Sequence, residues 1–223
     1  MLIFMKVLSI NISEPKKITF NGKELITSIY KMPIDKEVEV GQLGIEGDRQ
    51  ADLQVHGGYD KAVYAYSHSH YSHWSDIMKK SYEEFGLVGE NLTIDNFDER
   101  DVFIGDEYKI GTTLLQISQP RIPCYKIGIK MNSREFPKLF SQSGLLGSYM
   151  RVIEVGKMKI GDSVELSRRD DDSMSIFEIS QLLFVDIKNI EGMKKAIDLK
   201  YLSEEIKERF RERLMKLGDF SSL

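Results

Sequence analysis

The chain has one cysteine, one tryptophan and five prolines in 223 residues, with no block of like charge and no long apolar run. Each shortage excludes something. Cys124 has no partner within the chain, so no internal disulfide staples the fold; this usage fits a reducing, cytoplasmic compartment and leaves one thiol free for chemistry. No stretch approaches the roughly 18 consecutive apolar residues that a membrane-spanning helix needs, so no membrane association is expected. The apolar run from Met1 to Ile10 is short, contains Lys6 and lacks a small-residue cleavage pattern, which reads as a first strand rather than a leader. Lysine and arginine number 31 against 35 acidic residues, a net charge of −4. A protein that tracks a nucleic-acid polymer needs a basic footprint to displace counterions, so a small-molecule substrate is the expectation. What is present, 41% hydrophobic and 30% charged residues, is the composition of a globular protein large enough to bury a core unaided.

Glycine and proline locate a boundary. All five prolines and all but two of the 17 glycines, Gly192 and Gly218, precede residue 168. The first three quarters should therefore be strand-rich and the remainder helical. The charged stretch from Arg168 to Ser173 has no apolar anchor and reads as a linker, dividing the chain into 1–167 and 168–223. Strand character is found in Lys6 to Ile12, Thr27 to Lys31, Val38 to Val40, Asn91 to Ile94, Thr113 to Ser118, Arg151 to Val155 and Ser163 to Leu166. Short, β-branched runs separated by turns suggest a closed or nearly closed barrel. Ile104-Gly105-Asp106 and Ile160-Gly161-Asp162 read as turns before strands. One helix is expected to interrupt the barrel, because Tyr71, Trp74, Met78, Tyr82 and Phe85 recur at helical spacing from Ser69 onward. Beyond the linker three helices are expected: one opened by a Ser175/Glu178 capping box and running through about Phe184, one started by Asn189 or Glu191 around Met193 to Ile197, and one started by Ser203 with Glu204 and Glu205, with Ile206, Phe210, Leu214 and Leu217 on one face and a stop at Gly218.

Four groups of residues have the makings of chemistry. Cys124 ends Ser118-Gln119-Pro120-Arg121-Ile122-Pro123-Cys124, where two prolines stiffen the backbone and remove two amide donors. A thiolate beside Arg121 would be both a nucleophile and a soft metal ligand, while position alone fits a buried core thiol equally. Gly44-Ile45-Glu46-Gly47-Asp48-Arg49 and Val55-His56-Gly57-Gly58 supply tight turns and room for a ligand to approach the backbone at Gly57 and Gly58; as isolated segments they are also ordinary turns. His68, His70 and His73 are poorly placed for a metal, since the first and last diverge by about 140° around a helix, and an exposed polar face opposite Trp74 is the simpler reading. Glu90 and Asn91, following Phe85-Gly86-Leu87-Val88-Gly89, either bond a ligand or shape a turn.

Taken in order, Gly44-Ile45-Glu46-Gly47-Asp48-Arg49-Gln50-Ala51-Asp52, Val55-His56-Gly57-Gly58, Tyr71 with Trp74, Gly89-Glu90-Asn91-Leu92, Ile104-Gly105-Asp106 and Ser118-Gln119-Pro120-Arg121 with Pro123-Cys124 closely resemble the MOSC family, named for the C-terminal domain of molybdenum cofactor sulfurases. The resemblance is to its YiiM-like branch and spans nearly the whole chain. It implies a mainly β fold with added α, a MOSC-type β-barrel followed by a small three-helix C-terminal domain. It also implies a molybdenum cofactor of the pterin type with Cys124 as the metal ligand, and a molybdenum-dependent reductase of N-hydroxylated compounds such as N-hydroxylated purine bases. Within that reading Arg49 and Arg121 would contact phosphate or substrate, His56 would deliver a proton, and Asp48, Gly57, Gly58, Glu90 and Asn91 would surround the pocket. No flavin, haem or iron–sulfur motif is present in the sequence, so an external electron-donor protein is implied.

Two departures bear on the pocket rim. Tyr59 stands where relatives have proline, and Gly147-Ser148-Tyr149 lacks a tryptophan found in many of them. Pyridoxal phosphate binding belongs to the family's wider associations, yet no lysine has a sequence context that marks it for a Schiff base. Three other readings use the same residues: a sulfur carrier with a persulfide on Cys124, a non-catalytic cofactor-binding module, and cysteine-dependent hydrolysis with His56 as base, which lacks an orienting third group.

Overall fold

The computed structural model describes residues 5–51 and 57–219. Its strands are β1 (Met5–Ile12), β2 (Lys16–Phe20), β3 (Lys23–Thr27), β4 (Met32–Ile34), β5 (Val38–Gly41), β6 (Gly44–Ile45), β7 (Val63–Ser67), β8 (Leu92–Ile94), β9 (Glu107–Ile110), β10 (Thr113–Pro120), β11 (Ser148–Glu154), β12 (Gly156–Met158) and β13 (Ser163–Arg168). Seven of them close a barrel in the order β1, β13, β9, β10, β11, β7, β8 and back to β1. Closure removes the exposed sheet edges that would otherwise invite association. Every pairing in the ring is antiparallel except β7 with β8, where Ala65 lies opposite Leu92. A parallel pair requires a long crossover. Here residues 68–91 supply it, and they include helix α1 (His70–Met78).

The Tyr71 and Trp74 stripe forms α1 as its spacing predicts, and Trp74 is fully buried with its indole N–H donated to Tyr66 at 2.6 Å. The helix is shorter than expected. It stops at Lys79, which takes a left-handed conformation (φ 53°), because Lys79, Lys80 and Ser81 offer nothing to bury; Tyr82 and Phe85 reach the same apolar cluster from a loop. Two further helices interrupt the barrel where only one was expected: α2 (Tyr125–Lys130), directly after Cys124, and α3 (Phe136–Ser143). Phe136 and Phe140 stack on each other and meet Trp74 edge-on and at a tilt on the barrel's outer face. β7 escaped the sequence reading because all five of its residues are buried: Val63 and Ala65 face the barrel core, while Tyr64 and Tyr66 face the helices. A strand covered on both sides shows no alternation of polar and apolar residues. The expected strand from Thr27 to Lys31 is also corrected, since β3 ends at Thr27 and residues 28–31 form an irregular wall segment.

Beyond the barrel lie α4 (Ile176–Phe184), α5 (Ile190–Asp198) and α6 (Glu204–Lys216). The Ser175/Glu178 capping box is formed reciprocally, and Asn189 and Ser203 cap the next two helices. Such caps each contribute about 1 kcal/mol by satisfying otherwise orphaned amides. Ile206, Phe210 and Leu214 face inward as their spacing predicts, whereas Leu217, past the last helical turn, is exposed. The three helices share one apolar core with the barrel, running from Val7 and Ile10 through Ile179 to Phe210. Residues 168–173 are tied down rather than loose, with Arg169 bonded to the fully buried Asp106 at 2.6 Å and Arg168 to Glu107 at 3.1 Å. Among the described residues, no helix is long and apolar enough to cross a membrane.

Candidate functional site

A cleft opens between the end of β3, the turn before β8 and the loop after β10, with about 570 Å³ of atom-free space counted out to open solvent. Its wall includes Cys124, Arg121, Lys31, Asn91, Tyr64 and Tyr149. The local sequence explains the thiol's placement. Pro120 ends the β10 ladder, Pro123 keeps the chain extended, and Cys124 (φ −113°, ψ 163°) turns it into α2, accepting the amide of Ile127 on its carbonyl at 3.1 Å. Cys124 is half-buried and free.

Arg121 is almost fully buried, 5% exposed, with its guanidinium 4.9 Å from the Tyr64 ring and Nη1 donating to the carbonyl of Val88. Burial is the largest influence on it and opposes its charge, but Tyr64, Tyr149 and Cys124 together outweigh burial and raise its pKa. Burial also raises Tyr64 and Tyr149 above the ordinary phenol range, so both stay protonated at neutral pH. Among the described residues the wall holds three polar atoms without a partner: Nε of Arg121, Oγ of Ser28 and Oε1 of Gln50. The Gln119 amide and the Ser148 hydroxyl on the paired strands behind are unpartnered as well. Buried polar atoms are nearly always satisfied, each failure costing about 1–3 kcal/mol, so this concentration marks a place built to receive a polar ligand.

Lys31 and Asp48 form an ion pair in which both side chains are buried. The Asp48 carboxylate also accepts the Ser13 amide at 2.8 Å and the Asn91 amide at 2.9 Å, and Asn91 in turn accepts the Tyr64 N–H at 3.1 Å. Burial pulls the Lys31 pKa down, with Asp48 opposing it. Lys130 on α2 is likewise lowered by burial, to about 8, and donates to the carbonyls of Ile29, at 3.0 Å, and Gly86. It thereby clips the wall segment to the turn before β8.

The C-terminal region supports this wall from behind. Ser203 donates its amide to Ser118 of β10 at 3.1 Å, Arg151 of β11 donates to the Tyr201 carbonyl at 2.8 Å, and Glu205 pairs with Lys61 in the 3-10 turn Tyr59–Lys61. Residues 201–205 therefore join three elements whose neighbouring positions carry Arg121, Tyr149 and the Gly57-Gly58 pair.

The sequence-derived candidates divide. Cys124, Arg121 and Asn91 meet at the cavity, and Asp48 stands immediately behind it through Lys31. Glu90 is fully buried but faces away, accepting from Tyr71, from the amides of Gly86 and Val88 at 3.1 and 3.0 Å, and from Thr93 at 3.0 Å; it builds the turn that presents Asn91. Arg49 points outward, its side chain 75% exposed and 3.5 Å from Glu14, so it does not line the cavity. Gly58 and Arg49 border an outer groove instead. At Gly58 (φ 97°) an added Cβ would meet nothing within 4 Å, so backbone conformation rather than close approach requires glycine there. Gly57 immediately precedes it and is half-buried. His56 lies outside the described residues. Of the other histidines, His70 is buried beside Glu99 at 2.6 Å, contrary to the exposed face expected of it, while His68 and His73 are exposed. Among the described residues no group of three or more His, Cys, Asp or Glu side chains is arranged to hold a metal.

Sequence reasoning missed Lys31, Lys130 and Tyr64, and reached Tyr149 only as part of a segment on the pocket rim. The one available signal was a lysine inside the apolar run Ile29-Tyr30-Lys31-Met32, which a buried position must pair.

Residues 52–165 match the MOSC domain family. YflK of Bacillus subtilis is 34% identical over 95% of this chain and 95% of its own length. A Gibberella moniliformis protein named Reductase is 32% identical over 73% of this chain, which spans 29% of that longer protein. The crystal structure of YiiM from Geobacillus stearothermophilus superposes with a TM-score of 0.80 at 33% identity, covering 94% of this chain and 99% of that one. With the fold thus shared over nearly the whole chain, the chain belongs to the MOSC domain family, in the branch of the YiiM proteins.

Proposed function

We propose that the protein is a molybdenum-cofactor-binding oxidoreductase that reduces N-hydroxylated compounds, such as N-hydroxylated purine bases, in the cytoplasm. The observation that supports this best is the cavity wall, where a free thiol stands among buried cations and the unpartnered Arg121 Nε, Ser28 Oγ and Gln50 Oε1. That set suits a phosphate-bearing pterin with a soft metal: thiolate sulfur prefers soft metals, and a guanidinium grips oxyanions through two parallel donors. When bound, such a cofactor supplies two-electron exchange with the substrate.

The chain's own residues then have distinct tasks. Cys124 holds the metal. Arg121 and Lys31 neutralise anionic oxygens, and Ser28 and Gln50 orient polar groups that enter. Tyr64 and Tyr149, held protonated by burial, donate hydrogen bonds and narrow the space left for water. Electrons come from an external donor protein. The family's association with the molybdenum cofactor and a relative named Reductase agree with this reading.

Protein purified from cells with an intact cofactor pathway should contain close to one molybdenum per chain by mass spectrometry, and Cys124→Ser should lose it. Metal-free protein that accepts a labelled persulfide on Cys124 would instead establish sulfur transfer. Metal retained without turnover of any N-hydroxylated compound would leave a binding module.

A further inference from the structure

We propose that Lys31 is the proton donor of the cavity, held in place by Asp48. This inference rests on the reductase reading and deepens it. Reduction of an N–OH group follows R–NH–OH + 2 e⁻ + 2 H⁺ → R–NH₂ + H₂O, the electrons arriving from the reduced donor protein. As the N–O bond breaks, its oxygen must receive one proton inside the cavity, and the nitrogen takes the second from solvent. Lys31 gives the oxygen its proton from Nζ and is left as a neutral amine, which takes a proton back from solvent before the next turnover.

Three observations point to Lys31. It lines the cavity, whereas Glu90 is consumed by four donors, Tyr71, Gly86, Val88 and Thr93, and buried Lys130 spends its ammonium on the Ile29 and Gly86 carbonyls. Among the described residues its ammonium bonds to both carboxylate oxygens of Asp48, which is itself oriented by Ser13 and Asn91, and one of its three N–H bonds remains to direct inward. Asp48 also borders the outer grooves beside Arg49, so the pair bridges cavity and solvent-facing surface, a route for reprotonation. Of the remaining wall groups, Cys124 is assigned to the metal, Lys126 directs its Nζ to the Ile26 carbonyl at 3.0 Å, and the others are poor donors. Arg121 does not give up its proton, and burial makes Tyr64 and Tyr149 weaker acids than free phenols. The charges facing Lys31 are Asp48 and Glu90, which favour its ammonium, and Arg121, which with burial disfavours it; Lys130 adds a further positive charge nearby. Burial leaves Lys31 more acidic than a surface lysine, which brings it closer to the pH of use.

Lys31→Arg separates proton donation from charge, because arginine keeps the cation and cannot release the proton. The molybdenum-loaded variant should retain its metal and lose about 100-fold or more in turnover, the scale of general acid catalysis. Independently of turnover, acylation of wild-type protein by an amine reagent across pH, followed at the Lys31 peptide by mass spectrometry, should show a midpoint below that of the surface lysines, and Asp48→Asn should lower it further. Wild-type turnover in Lys31→Arg, or a Lys31 midpoint equal to the surface lysines, overturns the proposal. So does abolition of turnover in His56→Gln with Lys31→Arg unaffected, which would assign the proton to His56. If loaded wild-type protein reduces no N-hydroxylated compound, the functional reading itself fails, and the titration still reports on the amine.

Discussion

Replacing Asp48 with asparagine tests the ion pair on which the cavity wall depends. In the wild type Asp48 accepts from Lys31, Asn91 and the Ser13 amide, and neither member of the ion pair is more than 7% exposed. Asparagine has one carbonyl oxygen, so whichever way its amide turns, its NH₂ group faces donors: Lys31 and Ser13 on one side or Lys31 and Asn91 on the other. The buried ammonium also loses its counter-charge. Breaking a buried pair by removing one partner costs about 3–5 kcal/mol. For a chain of this size that is a fall of roughly 6–20 °C in Tm. The pH dependence gives the sign. Burial already places the folded-state pKa of Lys31 below its unfolded value, so between those two values the unfolded chain binds more protons and stability rises with pH. Loss of Asp48 lowers the folded value further and widens the window. The deficit of Asp48→Asn should therefore be largest near neutral pH and shrink as pH climbs toward about 10.4, the ordinary lysine value. Urea denaturation of both proteins at pH 7 and pH 9.5 measures it. A deficit under about 1 kcal/mol at pH 7, or one that stays constant with pH, would refute the reasoning.

Lys130 has the same sign of dependence with a defined window: folded at about 8 and unfolded at about 10.4, it makes stability rise across that interval by at most about 3 kcal/mol, and Lys130→Met should remove the rise in pH-dependent denaturation. Gly147→Ala should destabilise by several kcal/mol, about 1–3 from its positive φ of 66° alone, because the new Cβ would meet the Ala65 carbonyl oxygen and the Tyr64 ring; thermal melts check it. Glu205→Gln weakens the pairing with Lys61 at the half-exposed end of the C-terminal support, so a loss near 1 kcal/mol in urea is expected, with molybdenum content unchanged.

The helix caps were legible because capping is local: Ser175 with Glu178, Asn189 and Ser203 meet partners within three residues, and chain order alone fixes the encounter. Cys124 was legible for a related reason, since two prolines constrain the backbone beside it whatever the rest does. The barrel strands β1, β8, β10, β11 and β13 showed themselves as β-branched runs between turns, while the short β9 did not. β7, covered on both faces, did not either, and the helix past Met78 was overextended because Tyr82 and Phe85 keep helical spacing while lying in a loop.

At the site, the sequence by itself determined which thiol, which proline-stiffened loop and which family order to follow, because those features are contiguous. Only the tertiary structure decided which neighbouring side chains turn inward. Asp48 and Arg49 are adjacent in sequence, yet one is buried against Lys31 and the other stands in solvent. Glu90 and Asn91 divide in the same way, one consumed by its turn and one lining the cavity. Lys31, Tyr64 and Tyr149 come from segments far apart in the chain, and their acid-base character arises from burial beside Arg121. Burial depends on every element that closes over the site, so it is fixed only when the barrel, its helical crossover and the C-terminal helices have packed together.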